Sequence, residues 1–189
     1  AGAGGSAGSG GGSAGMAGMG GTSAAPFALT SPAFEHVEAC ALQNLQPCKV
    51  FPLSNVMTTI GGQNMSPELS WGPGPAGTMS YAITLHDYSN GFTHWAIWNI
   101  PAATLKLAAN LPDDATLTTP AGAKQKSFEQ GYMGPGAKNH VYEFRLYALN
   151  VATFTPKDAN DQVKIYQELD ADQAKIVLKE VVLRGKSPN

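Results

Sequence analysis

The sequence predicts a mainly β protein: an antiparallel β domain with peripheral C-terminal helices. Three observations point there. Several segments alternate apolar and polar residues with period two, as half-buried strands do. Clusters of Gly, Pro, Ser and Asn separate those segments. A helical pattern appears only late in the chain, and strands followed by helices suit a layered domain of this kind.

Residues 1–25 read as an arm preceding a domain at 26–189. Gly, Ala and Ser fill the arm except at Met16, Met19 and Thr22, and the first ionisable side chain is Glu35. With almost nothing to bury, such a stretch cannot offset the entropy of ordering it. Three readings stay open: a flexible tether to a membrane anchor or cell surface, an expression linker, and an assembly arm through which copies self-associate.

Past Pro26, Phe27–Thr30 reads as a short edge strand stopped by Ser31-Pro32. Met79 to Leu85 alternates around Tyr81, Ile83 and Leu85, a second strand. His94-Trp95-Ala96-Ile97-Trp98-Asn99-Ile100-Pro101 is a hydrophobic strand opening on a histidine. Residues 110–130, with their prolines, glycines and short polar runs, read as one long surface loop. The segment His140–Leu149 alternates cleanly, with Tyr142, Phe144, Leu146 and Ala148 on one face and Glu143 and Arg145 on the other. Asp170 reads as the cap of a helix whose apolar side is Ala174, Val177 and Leu178, with Gln173 completing a capping box. Glu180–Leu183 then reads as a closing strand.

Composition excludes some functions. The net charge is −2 and no run of Lys or Arg occurs, so a nucleic-acid partner is not expected. No apolar stretch has the length of a transmembrane segment. Cys40 and Cys48 are the only cysteines. A metal site would want more ligands than the nearby His36, and a redox pair would favour two intervening residues. A disulfide closing a surface loop is the better reading. Such a bridge implies an oxidising compartment. The sequence also starts at Ala1, as a processed protein would, and removal of a signal peptide would account for both features. The expected location is extracytoplasmic: periplasmic, cell-surface or secreted.

His140 shares the parity of the apolar face of its strand, so it should point inward. His94 stands at the mouth of its own strand, just after the loop Asp87-Tyr88-Ser89-Asn90-Gly91. Two imidazoles and a carboxylate at strand ends would form a polar pocket in an apolar sheet.

A series of short motifs surrounds these residues. Gly62-Gln63-Asn64-Met65-Ser66-Pro67-Glu68-Leu69-Ser70-Trp71 comes first, followed by Pro75–Ala82, Leu85-His86-Asp87, the His94 strand, and Gly131-Tyr132-Met133-Gly134-Pro135 leading to His140. In this order, over roughly residues 27 to 186, the series resembles the phosphatidylethanolamine-binding protein family, in particular its bacterial Raf-kinase-inhibitor-like branch. The resemblance implies a sheet-on-sheet β fold with a pocket at one end. It implies that Asp87, His94, Pro135, His140 and Tyr142 bind a ligand. Imidazoles and a tyrosine hydroxyl can donate to phosphate oxygens, and the carboxylate can orient an imidazole or meet an ammonium group. The chain departs from the family at several points. The family's D-P-D-x-P loop reads Asp87-Tyr88-Ser89-Asn90-Gly91, its G-x-H-R arginine is Val141, Gly136–Asn139 is short, and the cysteine loop is long.

Each site residue also has a structural role open to it: His94 and His140 as core imidazoles satisfied by backbone, Asp87 as a turn cap, Tyr142 as packing. Trp71, Trp95 and Trp98 read as core. A metal site from His86, Asp87, His94 and His140 is disfavoured, because His86 and Asp87 face opposite sides of a strand. No metal or other cofactor is expected. Ser66, Ser80 and Ser89 lack a nucleophile-elbow context, so no catalytic residue is assigned. The sequence therefore points to a non-enzymatic, extracytoplasmic binding domain for a small anionic ligand bearing phosphate or carboxylate. Two alternatives remain: a surface-assembly protein using the arm, and an inhibitor of a secreted protease acting through a loop near the cysteine ring.

Overall fold

The structure, a computed structural model, describes residues 1–5, 25–172 and 175–189. The readings placed on the arm fall largely on residues 6–24, outside the described residues. Among the described residues the strands are β1 (Leu29–Thr30), β2 (Leu69–Trp71), β3 (Ser80–Asp87), β4 (Phe92–Pro101), β5 (Lys106–Leu107), β6 (Lys124–Ser127), β7 (Val141–Leu149) and β8 (Val177–Lys186). One α-helix, α1 (Gln162–Asp170), lies between β7 and β8.

The strands form two antiparallel sheets, β1-β2-β5 and β6-β4-β3-β7-β8. Alternation explains how they stack. Tyr81, Ile83, Leu85, Phe144, Leu146 and Ala148 point from the large sheet into one core, and Leu29, Leu69, Trp71 and Leu107 of the small sheet close it. Ala82, Ala96, Trp98 and Tyr147 point the other way and pack under Phe154, Ile165 and Leu169, which come from the segment after β7 and from α1. Strand β3 is thus buried along its whole length.

Two expectations need correction, and a third needs its limits extended. The helix does not begin at Asp170; it ends there. Its cap is Asp161, whose carboxylate accepts from Val163 N at 2.9 Å and Lys164 N at 3.2 Å. Ile165 and Leu169, spaced i,i+4, carry the buried stripe. Val177 and Leu178 belong to β8, and Gln173 and Ala174 lie outside the described residues. The predicted C-terminal helices are therefore, among the described residues, one helix placed before the closing strand, and that strand is longer than Glu180–Leu183. The second correction is to the span 110–130, which is not all loop. Its Lys124–Ser127 stretch pairs with Trp95–Trp98 as β6. The strand's buried positions are polar ones, Gln125 and Ser127, which hides it from a hydrophobicity pattern; Gln125 anchors it. The Gln125 side chain accepts from Trp95 Nε1 at 3.0 Å and donates to the carbonyls of Pro112 and Asp114.

Cys40 and Cys48 form a disulfide. Both are buried and pack with Val141, Val37, Leu42 and Leu45 in a small cluster beside the start of β7. Replacing both by Ser should lower the unfolding free energy by about 2–3 kcal/mol through lost loop constraint. Urea melts should register the loss while the far-ultraviolet spectrum stays native. Full labelling of both thiols in unreduced, unfolded protein would contradict the bridge.

Candidate functional site

The hairpin β3–β4 places the first site residue. Gly91, at φ 80°, lets the chain reverse, its N–H bonding the Asp87 carbonyl at 2.8 Å. Asp87 ends β3 on the face that points to the main core, opposite Tyr142 of β7 and Phe92 of β4. Its side chain is fully buried. Oδ1 accepts from Ser89 N at 2.9 Å, and Oδ2 accepts from His140 Nδ1 at 2.7 Å. Asp87 is therefore both a turn cap and the anchor of an imidazole. His140 precedes β7 by one residue and keeps 31% of its side chain exposed. Its backbone is held by Ser187, which accepts from His140 N at 3.0 Å and returns its own N–H to His140 O at 2.9 Å.

His94 reaches the same site through a β-bulge. Leu85 pairs with Trp95 but the next residue, His86, pairs with Thr93, so the register shifts at His94. A bulge turns two consecutive side chains to one face. His94 accordingly joins Trp95 on the core side, its ring edge-on to Phe92 and to Tyr142, each at 5.1 Å. His94 Nδ1 donates to the Gly134 carbonyl at 2.8 Å, which leaves Nε2 without a proton in the neutral ring. Burial dominates its ionisation and pushes its pKa down to about 4, against the opposing pull of Asp87 and the Gly134 bond. His94 is therefore a neutral hydrogen-bond acceptor at Nε2.

Asp87, His94, His140 and Tyr142 thus gather at one end of the large sheet. Tyr142 serves the others rather than facing outward: its hydroxyl oxygen accepts from Gly136 N at 3.2 Å and Ala137 N at 3.1 Å, and its proton engages Asp87. Pro135 is buried, with its carbonyl held by Met57 N at 2.9 Å, so it supports the wall instead of lining an open rim. Several wall residues were not singled out from sequence. Asn64, at φ 55°, clamps the segment by accepting from Gly134 N at 2.8 Å and donating to the Tyr132 carbonyl. Gly136 lies so close that a Cβ there would meet Met57 Sδ at 2.7 Å, which makes Met57 the cover beside His94. Asn64 stood within a recognised motif, whereas Met57 and Ser187 carry no local signal.

His86 is excluded from the group by parity. It points to the opposite face, stacks on Tyr166 at 4.3 Å, and meets Thr93 Oγ1 through Nδ1. No set of three or more His, Cys, Asp and Glu side chains among the described residues could hold a metal ion. No helix among them is long and apolar enough to cross a membrane.

Comparison with known proteins agrees with this fold. The family model for phosphatidylethanolamine-binding protein matches residues 44–183. The UPF0098 protein YbcL of Escherichia coli is 34% identical over 120 residues, covering 57% of this chain and 65% of that protein. A UPF0098 protein of Methanothermobacter thermautotrophicus is 39% identical over 100 residues, 49% of this chain and 65% of that protein. The chain thus spans less than two thirds of the length of these relatives. Among solved structures, Escherichia coli YbcL, described as a new member of the mammalian PEBP family, aligns with a TM-score of 0.68 at 28% identity, covering 87% of this chain and 99% of that one. A PEBP homologue of Chlamydia trachomatis shares the fold at a TM-score of 0.63 and 20% identity, covering 87% and 98%.

The depressed His94 pKa predicts acid sensitivity. The unfolded chain binds a proton near pH 6.5 that the folded protein refuses until about pH 4. Stability is therefore complete above the unfolded value and declines as pH falls through that window, by an amount on the order of 3 kcal/mol. His86, also lowered by burial, adds in the same direction. Urea unfolding at pH 7, 5.5 and 4.5 should show the decline, and His94→Gln should flatten it. An unchanged slope in that variant would contradict the assignment.

Proposed function

The chain belongs to the phosphatidylethanolamine-binding protein family, and we propose that it is a non-enzymatic, extracytoplasmic binding protein for a small phosphate-bearing anion. The observation that carries this reading is the convergence of a partly open His140 and a neutral His94 around a buried carboxylate. Both imidazoles use Nδ1 within the protein, so Nε2 of each is the atom left for a ligand. His94 Nε2 accepts. His140 Nε2 donates to a ligand oxygen when both ring nitrogens carry protons, with Nδ1 bonded to Asp87 at 2.7 Å. The matching ligand offers one acceptor oxygen and one hydroxyl. A singly protonated phosphate monoester offers both, whereas an ionised carboxylate or a phosphodiester offers acceptors alone. The phospholipid headgroup implied by the family name carries a diester, so this site suits a monoester better.

The remaining parts of the reading have their own support. The Cys40–Cys48 disulfide suits an oxidising compartment. The three serines considered as nucleophiles are committed elsewhere. Ser66 Oγ accepts from Leu111 N, Ser80 Oγ donates to the Val151 carbonyl, and Ser89 Oγ accepts from Val141 N.

Calorimetric titration with O-phosphorylethanolamine, a monoester, and glycerophosphorylethanolamine, a diester, tests the proposal. The monoester should bind more tightly at pH 6 than at pH 8, because only the singly protonated phosphate, whose second pKa is about 6, keeps the hydroxyl that meets His94 Nε2. It should also bind more tightly than the diester. His140→Ala should weaken it about tenfold, the scale of a charge-assisted hydrogen bond. His36→Ala should not, since His36 meets Arg184 N and Glu38 outside the site. Absence of saturable binding, or binding indifferent to pH, would overturn the reading.

A further inference from the structure

A cavity lies at the end of the large sheet opposite the imidazole site. It has a volume of about 470 Å³ and is bordered by Met79, Trp98, Asn99, Lys124 and Phe154 among others. Strand β3 runs from this end at Ser80 to the imidazole site at Asp87. Seven strand rises of about 3.3 Å put roughly 23 Å between the two. The cavity is thus separate from the site above.

Its construction is specific. Trp98 of β4 and Lys124 of β6 are directly opposed partners in the sheet, so their side chains rise from the same face. Each brings a donor that meets no acceptor among the described residues: the indole N–H of Trp98, a residue only 2% exposed, and the ammonium of Lys124. The rest of the lining is largely apolar, with Phe154 buried in the wall and Met79 at the rim, 52% exposed. The wall is also fixed. Asn99 takes up φ 58° at the second register shift of the β3–β4 pair, and its Oδ1 accepts from Phe154 N at 2.7 Å. That bond ties the segment after β7 to β4.

A concave apolar chamber with a few placed polar groups has the make-up of a small-molecule site. We propose that this cavity binds an aromatic carboxylate, with the carboxylate bridging Lys124 Nζ and Trp98 Nε1 and the ring lying against Phe154. One cation and one neutral donor match the single charge and paired oxygens of a carboxylate. The volume accommodates a body of two fused rings.

Calorimetric titration of the full chain with 1-naphthylacetate, with neutral 1-naphthylacetamide as comparator, tests the assignment. The acid should bind saturably at one site and exceed the amide about tenfold, the scale of a charge-assisted hydrogen bond. Lys124→Met, an exposed position where the fold tolerates change, should weaken the acid by a similar factor and erase its advantage over the amide. Trp98→Phe keeps an aromatic ring but removes the donor along with part of the indole, so it should weaken the acid by at least about threefold, the scale of a neutral hydrogen bond, and reduce its advantage over the amide. His140→Ala should bind the acid as the unaltered protein does. No saturable binding of the acid, equal binding of acid and amide, or an unaffected Lys124→Met variant would each overturn the proposal. So would loss of binding in His140→Ala.

Discussion

Side-chain parity along β3 constrains both ends of this molecule. The strand is buried on both faces, so each residue faces one of two packed layers and has no solvent side to escape to. Odd-numbered residues enter the layer shared with the small sheet, and even-numbered residues enter the layer under α1. A slip of one residue would exchange Asp87 and His86 between layers and dismantle the imidazole site. The two register shifts of β4 are the permitted exceptions. One admits His94 to the Asp87 layer, and the other brings Asn99 to the wall of the distal cavity.

The two layers handle buried charge differently. On the α1 side, Glu143 is 1% exposed and meets two guanidinium groups, Arg145 Nη2 and Arg184 Nε, each at 2.7 Å. Arg145 continues to Asp170 and Glu180. That carboxylate is fully matched by permanent cations, and the arrangement is structural. On the other side, Asp87 is buried with no arginine, and its charge partner is His140. Removing one partner of a buried pair leaves an uncompensated charge, which typically costs several kcal/mol. The Asp87 carboxylate therefore depends on an imidazole where Glu143 has two guanidinium groups.

Much of this was legible in the sequence, for reasons tied to particular residues. β7 announces itself by alternation, and Asp87, His94 and His140 stand in recognisable motifs at strand ends. What stayed hidden was anything whose signal is not hydrophobic. β6 is pinned by a buried glutamine, α1 by an aspartate that resembles loop composition, and the core-facing direction of His94 by a bulge that no periodicity encodes. Tyr142 was visible as a site position, yet only the geometry shows its hydroxyl spent on the Gly136 and Ala137 amides. The charge state of His94 was likewise out of reach, because it follows from enclosure by residues as distant as Gly134.

Val141 connects the departures from the family pattern. It stands where the family's motif has an arginine, and at the next position along from His140 it faces the opposite way. A guanidinium there would lie against Cys40 and Cys48, both nearly inaccessible, with Val37, Leu42 and Leu45 alongside. Such a burial without a carboxylate would be strongly unfavourable. The acid missing from the Asp87–Gly91 loop is thus matched by a missing base, and the long disulfide-closed segment supplies the apolar cover that valine needs. The cover also touches the site indirectly. Val141 N–H and carbonyl hold Ser89 Oγ and Tyr88 N, fixing the turn that begins at Asp87. The disulfide segment therefore packs the valine at this position, and the site beside it is built from imidazoles and a carboxylate with no arginine among the described residues that meets Asp87.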